Sequence, residues 1–140
     1  ATPAGDGPMR AAHVLIVDDN ATNRMVAEAL CEMFDCTSEQ AVDGVEALEA
    51  VQARSFDLIL MDIKMPRMDG VAATRAIRAL EGPASRTPII ALTANADPED
   101  VRAYIEAGMN DVVEKPIKAE RMLEALEAAL SGGEADSVAA

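Results

Sequence analysis

Five short apolar or β-prone runs punctuate the chain: Val14 to Val17, Ser38 to Val42, Leu58 to Met61, Ile89 to Thr93 and Val112 to Val113. Between and after them, apolar residues recur at helical spacing: Val26, Leu30, Met33 and Phe34; Ala47, Leu48 and Val51; Ala73, Ile77 and Leu80; Val101, Tyr104 and Ile105; Leu123, Leu126 and Leu130. A strand-then-helix order repeated in this way specifies an α/β fold, because parallel neighbours need a crossover and a helix is the usual one. The first, third and fourth runs are continuously apolar rather than alternating, as expected of strands covered on both faces. The second, Ser38-Glu39-Gln40-Ala41-Val42, is more polar and belongs at a sheet edge.

Turn and cap residues support these boundaries. Asp43-Gly44 and Asp69-Gly70 are placed to open the second and third helices, Asp97-Pro98 offers a capping Asp before a first-turn proline, and Gly108 closes the fourth helix. The turn-rich stretch Glu81 to Pro88 reads as a surface connection without chemistry of its own. A length of 140 residues with 50% hydrophobic content suits one domain with a real core. Small-residue, Gly/Pro/Ala-rich ends suggest a linker at 1–11 and a tail at 132–140, flanking a folded unit at 12–131. The opening lacks an initiator Met, as in a piece of a longer protein, although Met9 is a candidate start.

Charge excludes some functions. Twenty-five acidic residues against 12 basic ones leave a net charge of -13, which opposes nucleic acid and anionic membranes. No run approaches the roughly 18 apolar residues of a membrane span, and the N-terminus lacks the basic-then-apolar order of a secretory signal. Cys31 and Cys36 match no metal spacing and read as reduced, buried thiols, so a cytoplasmic location is expected.

In an open parallel sheet, ligands bind outside the carboxyl ends of the strands. The first run ends in Asp18-Asp19, the third in Asp62 and the fourth in Thr93-Ala94, while the fifth passes through Glu114 into Lys115-Pro116. Singly these residues have plain readings: Asp18 and Asp19 as helix caps, Asp62 as a turn cap, Thr93 as a strand residue, Lys115 as a solvated loop residue. Together they converge on one rim, and three carboxylates so close repel by several kcal/mol at intermediate dielectric. The cluster calls for a divalent cation, and an all-oxygen donor set favours Mg²⁺ over zinc. Lys115 can then neutralise an incoming phosphoryl group, Thr93 can donate a hydrogen bond to it, and Asp62 is placed to attack phosphorus. His13, the one histidine, begins the first run at the opposite end and reads as structural or solvated.

The motifs "LIVDDN", "LILMDIKMPRMDG", "IIALTANA" and "DVVEKPI", in this order and each at its strand end, resemble the receiver domains of two-component response regulators and hybrid histidine kinases, over about Ala12 to Leu130. The resemblance implies a flavodoxin-like, doubly wound (βα)5 fold with strand order 2-1-3-4-5. It implies phosphorylation of Asp62, with Mg²⁺ held by Asp19, Asp62 and the backbone carbonyl of Lys64, and by Asp18 through water. It assigns phosphoryl contacts to Thr93, Lys115 and the Ala94 amide, and a cis peptide to Lys115-Pro116. Such a domain is not a turnover enzyme, although it catalyses its own aspartyl phosphorylation and dephosphorylation.

A receiver takes its phosphoryl group from a phosphohistidine, and His13 is misplaced to donate to Asp62. The expected partners are therefore a kinase dimerisation domain or a histidine phosphotransfer protein, with the domain itself monomeric. "TANA" and "GMNDVVEKPI" resemble receivers attached to hybrid kinases. One position departs from the family: Val112 stands three residues before Lys115, where receivers usually carry a switching aromatic. That departure points to a phosphoryl relay recognised through the first helix and the active rim. The competing readings are a pseudo-receiver that never takes phosphate, which the intact carboxylate, Thr and Lys set opposes, and a haloacid-dehalogenase-like phosphatase. The latter needs a carboxylate two residues after its nucleophile, where this chain has Lys64.

Overall fold

A computed structural model describes residues 12–139; the expected linker at 1–11 lies outside the described residues. Strands β1 (His13–Val17), β2 (Thr37–Ala41), β3 (Leu58–Asp62), β4 (Ile89–Thr93) and β5 (Asp111–Glu114) alternate with helices α1 (Ala21–Met33), α2 (Gly44–Ala53), α3 (Gly70–Arg78), α4 (Pro98–Ala107) and α5 (Ala119–Ala139). All strand pairs are parallel, in the order β2-β1-β3-β4-β5. The polar β2 is an edge strand, as its composition implies.

Alternation of side chains across the sheet explains why the central runs are apolar throughout. Leu15, Val17, Ile59, Met61, Ile89 and Ala91 share one core layer with residues of α2, α3 and α4. Val14, Ile16, Leu58, Leu60, Ile90 and Leu92 share the other with residues of α1 and α5. Each strand residue therefore meets a helix on one side or the other, and β1 from Val14, β3 and β4 are buried along their whole length.

Three helix starts are capped by side chains. Asn20 accepts from the Asn23 amide, Asp43 from Glu46 and Asp69 from Ala72. Glu46 reaches back to the Val42 amide at 2.9 Å, so the start of α2 is tied in both directions. Gly108 ends α4 with φ 118, a conformation suited to glycine.

Four expectations are corrected. The buried face of α1 is Ala27, Leu30 and Cys31, with Phe34 packed beside it, while Val26 and Met33 are 44% and 62% exposed. Positions 27, 30, 31 and 34 follow i, i+3, i+4, i+7 spacing and form the covered face, and the apolar residues at 26 and 33 fall to its side. On α4, Tyr104 is buried but Ile105 is exposed. Strand β2 lies one residue earlier than its composition suggests, leaving Val42 exposed beside the α2 cap. Asp97 occupies the N-cap of α4 but makes no capping hydrogen bond through its side chain.

Helix α5 is described through Ala139, across the stretch 132–139 that composition reads as a tail. Glu and Ala in that stretch are good helix formers and offset Gly132 and Gly133. Both cysteines are buried thiols that form no disulfide with each other. Burial, with further contributions from Cys36 and nearby acidic groups, pushes the Cys31 thiol up to about 12.

Candidate functional site

The crossovers bring the carboxyl ends of β1, β3, β4 and β5 to one rim. Register places Asp62 beside Leu92 and Thr93 beside Glu114, so Asp62, Thr93 and Lys115 descend from three adjacent strands. Backbone bonds continue past the strand ends: Ile63 N–H donates to the Leu92 carbonyl at 3.1 Å, and Lys115 N–H to the Thr93 carbonyl at 2.7 Å. On the far side, Asp18 N–H donates to the Ala41 carbonyl at 3.1 Å. The positions of the functional side chains are thus set by sheet pairing rather than by free loops.

Asp18 and Asp62 are buried, at 1% and 5% exposure, while Asp19 is exposed. One oxygen from each of the three lies within 4.8 Å of the others. Lys115 Nζ sits 2.8 Å from Asp62 Oδ1 and 3.4 Å from Asp18 Oδ2. Asp18 is further held by the Asn20 amide, which donates to its Oδ1 at 2.9 Å. Asn20, and neither aspartate, is the N-cap of α1.

One ammonium facing three carboxylates leaves the rim electronegative. Burial raises the Asp62 pKa above the ordinary carboxylate range; Lys115 opposes the rise and the Asp18 charge reinforces it. Burial pulls Lys115 downward, but its contacts with Asp62 and Asp18 more than offset that, and its pKa lies above the ordinary value. Both shifts reflect excess negative charge in a partly dry place. A hard cation with a preference for oxygen matches this donor set.

A cleft of about 530 Å³ opens over the cluster. Lys64, Thr93, Ala94 and Lys115 line it with Asp19 and Asp62, while Asp18 lies buried behind the lining against Lys115. Asn20, Asn23, Asn95, Asp100 and Tyr104 line it too, and sequence reasoning missed them as site residues. The Asn residues lie within four positions of Asp19 or Thr93, a proximity that the sequence already shows. Tyr104 arrives from the far end of α4 and carries no such signal.

The Thr93 hydroxyl accepts from the Asn95 amide at 3.1 Å and donates to the Asn95 carbonyl at 3.0 Å. Its one hydrogen is therefore engaged in its own turn. The Lys115-Pro116 peptide is cis. Val112 is half-buried on β5 and packs against the core layer that contains Tyr104. Remote from the rim, His13 accepts or donates through its ring nitrogens to Thr37 Oγ1 at 2.7 Å and Glu39 at 2.8 Å, and its ring stacks on Phe56.

The family model described as "Response regulator receiver domain" matches residues 14–127, from Val14 in β1 into the first half of α5. The chain belongs to this family. It is 42% identical over 109 residues to the autoinducer 2 sensor kinase/phosphatase LuxQ of Vibrio vulnificus, covering 78% of this chain and 12% of that protein. It is 44% identical over 116 residues to the sensor protein GacS of Pseudomonas syringae, covering 81% of this chain and 13% of that protein. The chain thus corresponds to a small part of each of these relatives. Among solved structures, the receiver domain of the sensor histidine kinase PA1611 from Pseudomonas aeruginosa superposes with a TM-score of 0.80 at 38% identity. The match covers 86% of this chain and 98% of that domain, which holds a magnesium ion in its active site cleft. This receiver shares its flavodoxin-like fold with those relatives, and no helix among its described residues is long and apolar enough to cross a membrane.

Proposed function

We propose that this receiver accepts a phosphoryl group from a phosphohistidine onto Asp62, with Mg²⁺, on the cytoplasmic side of a phosphorelay. The observation that carries the reading is the Asp18, Asp19 and Asp62 trio within 4.8 Å, with Lys115 touching both buried members. Asp19, Asp62 and the Lys64 carbonyl would hold the ion directly and Asp18 would hold it through water; the magnesium-bound PA1611 receiver supports this choice of ion. An ion bound there would supply positive charge to offset the carboxylates and the transferring phosphoryl oxygens.

The chemistry of the chain's own residues is in-line displacement. An oxygen of ionised Asp62 attacks phosphorus, a P–O bond forms as the P–N bond breaks, and the electron pair leaves on the imidazole nitrogen, which takes up a proton. Lys115 moves from pairing with carboxylates to holding a phosphoryl oxygen, and the Ala94 amide contributes a second donor. Thr93 must release the Asn95 carbonyl to donate to the phosphoryl group, so product formation pulls on the start of the β4–α4 connection. Catalysis here is positioning and charge neutralisation.

The donor histidine belongs to a partner, a kinase dimerisation domain or a histidine phosphotransfer protein, because His13 lies at the opposite end of β1. Similarity to LuxQ and GacS favours a receiver carried by a hybrid sensor kinase. Exposed Met25 and Val26 lie within a turn of cleft-lining Asn23 and supply an apolar rim for that partner. With Val112 in place of a switching ring, the isolated domain stays monomeric and acts as a relay. Incubation with a small phosphodonor and Mg²⁺, followed by intact-mass analysis, tests the core of this reading. One hydroxylamine-labile phosphoryl group is expected, absent with EDTA and absent in Asp62→Ala; undiminished modification of Asp62→Ala overturns it.

A further inference from the structure

The segment between β3 and α3 carries Lys64 and makes an unusual turn. Arg67 has a positive φ of 65, and the Met68 amide donates to the Pro66 carbonyl at 2.6 Å, closing a three-residue turn centred on Arg67. A γ-turn with positive φ is rare and strained, and a non-glycine residue holds such a conformation only when its surroundings enforce it.

The enforcing contacts come from the start of α2. Arg67 Nε donates to Asp43 Oδ2 at 2.6 Å, and Asp43 is buried. The hydrogen bond from Arg67 holds the Asp43 carboxyl below its usual range. One residue on, the Gly44 amide donates to the Met68 carbonyl at 3.0 Å. A Cβ on Gly44 would stand 2.5 Å from that carbonyl oxygen and 2.8 Å from Met68 Cγ, so the approach requires glycine. At the other end of the segment, the Gly70 amide donates to the Ile63 carbonyl at 2.9 Å, and a Cβ on Gly70 would collide with the Asp62 carbonyl. Lys64, Met65 and Pro66 therefore span a strap fastened to the end of β3 and to the start of α2.

We infer that the Arg67–Asp43 ion pair is a positioning device for the metal side of the site, fixing where the strap presents the Lys64 carbonyl. Arg67 and Asp43 touch neither the cleft nor the reacting atoms; they act through the backbone of the strap. Asp43 serves two tasks with its two oxygens, capping α2 through Oδ1 and anchoring the strap through Oδ2. The inference rests on the metal-dependent phosphoacceptor reading above and adds a second layer of residues to it.

Mg²⁺ titration followed by amide NMR shifts, with urea unfolding in EDTA on the same samples, separates positioning from simple stabilisation. Arg67→Gly is the informative variant, because glycine accepts the positive φ without cost while removing the ion pair. Its Mg²⁺ affinity is expected to fall about tenfold, as is usual when a group that orients a metal ligand is lost, while the urea midpoint in EDTA reads separately the stability lost with the ion pair to buried Asp43. Asp43→Asn, which keeps the cap oxygen, should lose affinity similarly, and Arg67→Lys should recover part of it. Mg²⁺ affinity in Arg67→Gly within about twofold of the parent protein overturns the inference while leaving the phosphoacceptor reading intact. Failure of the parent protein itself to bind Mg²⁺ overturns both.

Discussion

Replacing Asp62 by Asn should make the metal-free protein more stable, although it deletes the closest ion pair in the site. At an effective dielectric near 20, attraction between Lys115 and Asp62 at 2.8 Å is about 6 kcal/mol before desolvation. Repulsion of Asp62 by Asp18 and Asp19, at no more than 4.8 Å, is about 3.5 kcal/mol for each, or about 7 kcal/mol in all. The two nearly cancel, and screening at exposed Asp19 trims the second. Desolvation of the buried carboxylate then decides the sign, in keeping with the raised pKa of Asp62. Asn avoids that cost and leaves Lys115 paired with Asp18 at 3.4 Å. We expect a net gain of about 1–2 kcal/mol for Asp62→Asn at pH 7 in EDTA, read by urea unfolding. An acid whose folded pKa is raised contributes stability below its unfolded value, near 3.9, and loses it as pH rises through the folded value. The advantage of Asn should therefore vanish toward pH 4 and be full at neutrality. Saturating Mg²⁺ should close or invert the gap, since a ligand at a hundred times its Kd adds about 2.7 kcal/mol to the parent protein. An Asp62→Asn protein less stable than its parent at pH 7 in EDTA would refute the claim that desolvation and repulsion outweigh the lysine.

Lys115→Met removes the shared cation and leaves Asp18 and Asp62 facing each other, so it should cost about 2–4 kcal/mol at pH 7 by urea unfolding and slow phosphorylation by a small donor. Arg78→Ala should cost about 2–4 kcal/mol without altering Mg²⁺ affinity, because its guanidinium donates to the Ser85, Thr87 and Gly108 carbonyls and to Asn110 Oδ1. Lysine at that position should recover little, lacking the planar fork. Adding beryllofluoride and Mg²⁺ should shift amides around Asp62, Thr93 and Lys115 strongly and the outer faces of α4 and α5 weakly; large distal shifts or dimerisation would sink the relay reading.

The parts of this protein legible in its sequence are those where one residue's identity has one structural consequence. Val14–Val17 and Leu58–Met61 are apolar at every position because helices cover both sides of the sheet, so unbroken hydrophobicity leads directly to parallel strands. The rim follows by topology, because every parallel strand ends on the same side and its next residue lands there. Helix α1 breaks this correspondence: Val26 and Met33 are apolar yet exposed, while Ala27, Leu30 and Cys31 are buried, because the helix's orientation over the sheet decides which apolar positions are covered. Pattern reports hydrophobicity, and the gap to be filled is a property of the assembled layers. The Thr93 hydroxyl is a second break. Its identity marked it for the site, but a hydroxyl rotor settles on the nearest partner, and here that is the Asn95 carbonyl. The Arg67–Asp43 clamp is the third, joining residues 24 positions apart through a backbone turn that no residue in "MPRMDG" demands. A positive φ at arginine is unfavourable locally and exists only because α2 starts where it does. Departures from local preference of this kind mark places where tertiary contacts hold the chain against its own inclination, and in this receiver the strap carrying Lys64 is one of them.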